Sequence, residues 1–247
     1  MQKIRRKIIG VSIFFCFNIV CVGQNVLKLK KPKVYYTSII SAGAFVGGYI
    51  YTNSIKGLSK NDIDAVDIND LGRFNRQAAK NYSLPARAWS DVSVIGTAAL
   101  PGLLSFHKKV RSDFFTYNTI YAQALVSTVG QVMLLKAITK KERPFVYNTN
   151  VPIEEKMEND ARFSFPSGHT AIAATASYFF ATTYALYFPK SKNKEWVWIG
   201  ATILPVVTGY LRYRAGKHFI ADIAGGYVIG AANGIAFPLL FRIGNKK

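Results

Sequence analysis

Histidine, cysteine and acidic residues are all scarce in this sequence. Three histidines occur, His107, His169 and His218, and both cysteines, Cys16 and Cys21, fall within the first 23 residues. No His, Cys and carboxylate set stands at metal-ligand spacing, so no metal centre is expected. If the first segment is removed on export, the product has no disulfide, and cysteine usage says nothing of its redox compartment. Asp and Glu number 13 against 32 Lys and Arg, a net charge of +19. The basic residues are scattered between apolar segments instead of forming a stripe, which argues against nucleic acid as a partner and for loops that flank a membrane. Walker, Rossmann and metalloprotease motifs are absent, as are internal repeats and low-complexity tracts.

Half of the 247 residues are apolar, enough for one substantial core. Residues 1–23 read as a secretory leader or an N-terminal anchor, with Lys3, Arg5, Arg6 and Lys7 ahead of an apolar run. Residues 24–89 hold one moderately apolar segment, 35–51, and then a polar stretch rich in Asp and Arg that reads as a long loop with short helices. Gly43 and Gly47 in the first of these stand at the spacing of close helix packing. A core at 90–242 holds five apolar helical candidates, 92–106, 116–135, 170–188, 196–211 and 219–241. In the last, Gly226, Gly230 and Gly234 recur every four residues and predict a flat packing face. The expected fold is all-α, a bundle of five apolar helices or six with 35–51. Interfacial aromatics such as Trp196 and Trp198 favour a membrane bundle, whereas Asn118, Gln123 and Gln131 inside 116–135 favour a soluble one.

Three polar stretches interrupt this pattern. In Phe165-Pro166-Ser167-Gly168-His169-Thr170, Ser167 is a good N-cap for the helix that follows. The unpaired amides after it, backed by the helix dipole, suit an anion, and His169 stands where it can exchange a proton with that anion. Lys136 and Arg143 lie seven apart, on one side of a helix that Pro144 must end. His218 and Asp222 are four apart, a spacing that stacks them on one helical face. An imidazole held by a carboxylate at one nitrogen offers the other as a base or a nucleophile. Lys136, Arg143 and Arg212 would neutralise phosphoryl oxygens.

Together these stretches resemble the signature of the type 2 phosphatidic acid phosphatase superfamily: Lys136, six residues, Arg143-Pro144; Pro166-Ser167-Gly168-His169; then Arg212, five residues, His218, three residues, Asp222. Leu211 stands where that family usually has Ser. The resemblance implies a metal-free phosphatase without cofactor, in which His218 attacks phosphorus, Asp222 orients it and His169 serves the leaving oxygen. Lys136, Arg143, Ser167, Gly168 and Arg212 would bind the phosphate, with vanadate an inhibitor. Implied substrates are phosphate or pyrophosphate monoesters, lipid phosphates foremost; the sequence indicates no oligomeric state. Alternatives are a soluble periplasmic acid phosphatase and a vanadium-dependent haloperoxidase, for which vanadate would be the cofactor.

The basic runs 107–111, 190–194 and 242–247 fall on one side of the expected helices and the three motifs on the other. The positive-inside rule then turns the motifs to the periplasm or cell exterior. A cleaved leader agrees with that only if 35–51 does not cross, which the basic run 28–33 opposes. The acidic segment 145–163 reads as a solvated loop or as a lid over the cationic pocket.

Overall fold

The computed structural model describes residues 26–243. The leader or anchor expected at 1–23 lies outside the described residues. Among the described residues nine α-helices follow in order: α1 (Lys31–Ser54), α2 (Lys60–Asp64), α3 (Arg73–Ala79), α4 (Leu84–Ser105), α5 (Phe114–Thr139), α6 (Ile153–Lys156), α7 (Gly168–Tyr187), α8 (Lys194–Arg214) and α9 (Ile220–Leu240). Six are long and form the bundle, at the positions where apolar runs predict them. Segment 53–88 holds the short helices α2 and α3, the first closed by a Ser59/Asp62 capping box. α4 begins at Leu84, eight residues before its apolar run, because the Ser83 side chain accepts from the Ala86 amide and Pro85 suits a first turn.

α7 is the centre of the bundle, packed against α4, α5, α8 and α9. Its small residues allow this: Ala171, Ala173, Ala174, Ala176 and Ala181 are wholly buried. Against them lies the glycine face of α9, where a Cβ on Gly226, Gly230 or Gly234 would strike backbone oxygens of Ser167, Ala171 and Thr175. α1 packs along α5, but its close approach is not at Gly43 or Gly47. It lies at Gly48 and Gly130, where an added Cβ would stand 2.7 Å from Met133 Cβ and from Phe45 N respectively. Tyr117, Ile120, Phe179 and Phe241 fill the core between these contacts.

The polar residues that point toward a soluble bundle are satisfied inside this one. Asn118 donates to the Phe114 carbonyl, Gln123 to Ser38 Oγ and Gln131 to Asn233. Meanwhile large apolar side chains face outward, Ile39 and Ile40 on α1, Ile95 on α4, Ile203 and Val206 on α8, and Val228 on α9. Arg111–Tyr147 and Ile220–Leu240 contain helices long and apolar enough to cross a bilayer by length and composition. An apolar exterior over an internally hydrogen-bonded interior suits lipid as the surrounding medium.

Both ends of the bundle are defined by its contacts. The Lys28 amide donates to Phe241 O and Lys33 Nζ to Leu240 O, so α1 starts beside the end of α9. At the opposite end Tyr49, Thr52 and Asn53 of α1 face Lys136 of α5. α1 therefore runs the length of the bundle, with the basic run 28–33 at the end where α9 finishes.

Candidate functional site

All three motifs meet at that opposite end. Ser167 caps α7 as its sequence predicts: its Oγ accepts from the Thr170 amide at 3.4 Å and lies 2.9 Å from Thr170 Oγ1. Gly168 follows with open space, since a Cβ there would meet only Val132 Cγ1, at 3.6 Å. The amides at this helix start are thus approachable from outside. The Ser167 amide itself donates to Asp222 O at 2.9 Å, joining the capped turn of α7 to α9.

His218 is not helical. α9 starts at Ile220 with Phe219 as its N-cap, so His218 lies in the approach and Asp222 is the third helical residue. The two still meet, with Asp222 Oδ2 3.8 Å from His218 Nδ1. Asp222 is wholly buried and held elsewhere more tightly: Lys141 Nζ at 2.8 Å, Ser164 Oγ at 2.5 Å and the Phe219 amide at 2.8 Å. On the other side of the imidazole, Arg143 Nη1 is 3.2 Å from Nε2. A guanidinium can only donate, so Nε2 is the accepting nitrogen and Nδ1 carries the proton, toward Asp222. His218 is 1% exposed. Burial first, and then the charges of Arg143, Lys136 and Arg212, hold its pKa well below the ordinary histidine value. The result is a neutral imidazole with its lone pair on Nε2.

Arg143 leaves the helix too. α5 ends at Thr139 because Lys140 turns left-handed, φ 44°, and Arg143 sits on the returning strand of chain ahead of Pro144. Buried there, it donates through Nε to Asp160 O, through Nη2 to Asp160 Oδ1 and through Nη1 to Lys217 O. Lys136, on the last turn of α5, reaches Phe163 O at 2.8 Å. Arg212, at the end of α8, donates to Ser90 Oγ at 3.2 Å, so a hydroxyl of α4 stands near it where Leu211 has none. Its Nε and His218 Nδ1 are buried without a hydrogen-bond partner among the described residues. Of the two, Nδ1 is turned toward Asp222, and Arg212 Nε is a donor open to an anion.

His169, on the first turn of α7, has a partner that sequence reasoning passed over. Its Nε2 lies 2.7 Å from Asp91 Oδ1, and Asp91 is also 3.8 Å from Arg212 Nη1. Asp91 is the only carboxylate in α4, a signal that was there to read. The acidic segment is solvated at Glu154 and Glu158 but anchored at Glu155 and Asp160. Glu155 pairs with the buried Lys217 at 2.7 Å and accepts from Tyr82 OH at 2.7 Å, while Asp160 grips Arg143. Lys217 is therefore a buried, structural cation.

Residues 117–245 match the family described as the PAP2 superfamily. Phosphatidylglycerophosphatase B of Bacillus subtilis is 37% identical over 171 residues, which cover 67% of this chain and 82% of that protein. Undecaprenyl-diphosphatase of Sulfolobus acidocaldarius is 30% identical over 129 residues, 52% of this chain and 55% of that protein. Among solved structures, a transmembrane PAP2 type phosphatidylglycerolphosphate phosphatase from Bacillus subtilis superposes with a TM-score of 0.51 over 82% of this chain and 96% of that one. Identity to it is 19%, so that likeness speaks for the fold.

Proposed function

Because this chain belongs to the PAP2 superfamily, we propose that its buried cationic end is the active site of a membrane phosphatase that hydrolyses lipid phosphates through a phosphohistidine on His218. The observation that carries the reading is the state of His218: a neutral imidazole, Nε2 against Arg143 and Nδ1 toward Asp222, ringed by Lys136 and Arg212.

The reacting phosphoryl group sits between Nε2 and the amides that open α7. Lys136, Arg143 and Arg212, with Ser167 and Gly168 at the helix start, hold its oxygens as charge moves onto them. Nε2 attacks phosphorus as the ester oxygen departs, and Arg143 Nη1 is released from the imidazole to a phosphoryl oxygen. Asp222 faces the positive charge that appears on the ring. His169, as an imidazolium whose Nε2–H is held by Asp91, gives the leaving oxygen the proton on its other nitrogen and is left neutral. It then takes a proton from water, whose oxygen attacks phosphorus and breaks the N–P bond, releasing phosphate. No metal enters these steps.

The site faces the periplasm or cell exterior in this reading. Support comes from α1, whose basic start joins the basic loops 107–111 and 190–194 at the far end of the bundle. Hydrolysis of a panel of lipid phosphates and p-nitrophenyl phosphate in detergent, with and without EDTA, tests the proposal. Phosphate release from lipids that EDTA leaves intact is expected. Loss with EDTA that a divalent cation restores would remove the metal-free mechanism, and no release from any lipid phosphate would remove the function.

A further inference from the structure

Arg143 and Arg212 come to the phosphoryl site with different edges. A guanidinium carries two parallel donors along the edge made by Nε and Nη2, and that pair fits a phosphate. Arg143 spends the edge on the protein, Nε on Asp160 O and Nη2 on Asp160 Oδ1. Arg212 keeps it. Among the described residues both of its side-chain contacts go through Nη1, 3.2 Å to Ser90 Oγ and 3.8 Å to Asp91 Oδ1, and its Nε is buried without a partner. Arg212 also stands beside the opening of α7. One turn earlier on α8, a Cβ on Gly209 would lie 3.3 Å from Thr170 Oγ1.

That open edge is aimed from its opposite corner. Ser90, on α4, is wholly buried and gives its own proton to Arg87 O at 2.6 Å. With the hydrogen committed there, the hydroxyl turns its lone pairs to Arg212 and accepts from Nη1. A bond at Nη1 stops the guanidinium from turning about its Cδ–Nε axis, so it fixes the plane of the fork as well as its place. The support comes from outside the family match, since α4 precedes residues 117–245.

Resting on the phosphatase reading, we infer that Ser90 is a positioning residue for phosphoryl transfer: by accepting from Nη1 it holds the Nε–Nη2 edge of Arg212 toward the phosphoryl oxygens. It touches no substrate and acts through Arg212 alone, which makes α4 part of the active site.

A double-mutant cycle on the full chain in detergent tests this. Ser90→Ala should lower kcat/KM for a lipid phosphate about tenfold, the worth of one hydrogen bond to a charged group, and weaken inhibition by vanadate by a similar factor. In Arg212→Lys, whose ammonium has no edge to aim, adding Ser90→Ala should change kcat/KM by less than about twofold. Ser93→Ala breaks another contact between α4 and α8, the 2.8 Å bond to Thr208 Oγ1, and should keep its activity per folded enzyme. The same loss in both backgrounds, or no loss in the unaltered one, overturns the inference. So does an equal loss in Ser93→Ala, which would make Ser90 a packing residue. If Ser90→Ala does not fold, Ser90→Cys, which nearly keeps the volume and replaces the oxygen by a weak acceptor, is held to the same expectations. If the unaltered protein hydrolyses no lipid phosphate, the phosphatase reading falls by itself. Equilibrium binding of inorganic phosphate to the same variants then decides for Ser90: affinity lost on Ser90→Ala only where Arg212 is present upholds its role, and no loss, or the same loss in Arg212→Lys, refutes it.

Discussion

Replacing Gly226 by Ala tests how the fold holds the reacting groups in register. Gly226 lies one turn beyond Asp222 on α9, and a Cβ there would overlap the carbonyl oxygen of Ser167, with Ser167 C at 3.2 Å. Carbon in ordinary contact needs about 3.5 Å, so relief requires α9 and the start of α7 to part by about 1 Å. That movement strains the 2.9 Å bond from the Ser167 amide to Asp222 O and separates the capped turn carrying His169 from the segment carrying His218. Overpacking of this kind costs about 1–3 kcal/mol in stability. A misplacement of about 1 Å between reacting groups costs on the order of 10²-fold in rate. Gly234→Ala is the control, because its Cβ would stand 2.6 Å from Thr175 O, two turns away on the same interface. Unfolding temperature and kcat/KM per folded enzyme, measured in detergent, should fall together in Gly226→Ala, whereas Gly234→Ala should lose stability and keep most of its activity. Full activity per folded Gly226→Ala enzyme, or an equal loss in Gly234→Ala, would refute the reasoning.

Two further outcomes follow from the polar geometry. Asp91→Asn removes the charge held 2.7 Å from His169 Nε2, so kcat/KM should drop about 10²-fold for a lipid phosphate, whose alcohol needs a proton to leave, and less than about tenfold for p-nitrophenyl phosphate; equal losses would make Asp91 a residue of the fold. His218 is neutral above a pKa held well below 6.5, so the nucleophile persists as pH falls and the acid limb of kcat/KM belongs below that value. Arg143→Gln, by removing a neighbouring cation, should move the limb upward, and a limb at or above 6.5 in the unaltered protein would contradict the neutral, buried imidazole.

The parts of this architecture that depend on local pattern were legible in advance. Apolar runs placed the six long helices, Ser167 announced its cap, and the four-residue glycine spacing on α9 predicted the face that packs on α7. Register was not legible: Gly48 and Gly130 make the α1–α5 contact, and only the pairing of the helices selects them over Gly43 and Gly47. Spacing also misled where a helix stops. Lys140 takes a left-handed turn without the glycine that usually marks one, so Arg143 leaves the helix of Lys136. Phe219 caps α9, so the four-residue interval from His218 to Asp222 is a cap reaching back and not a helical face. Asp91 escapes the sequence pattern because the apolar run begins at Val92, whereas the helix itself begins at Leu84 behind the Ser83 cap. The partners of Asp222, Lys141 and Ser164, come from distant segments that only the folded chain brings together.

The account stands on His218 as the nucleophile, and radioactive phosphate substrate tests that most directly. The unaltered protein should show acid-labile label, and a burst of p-nitrophenol should persist in His169→Ala, which still forms the phosphoenzyme from a good leaving group. His218→Asn should give neither label nor burst. Label retained in His218→Asn, or a burst in it with none in His169→Ala, would contradict the assignment.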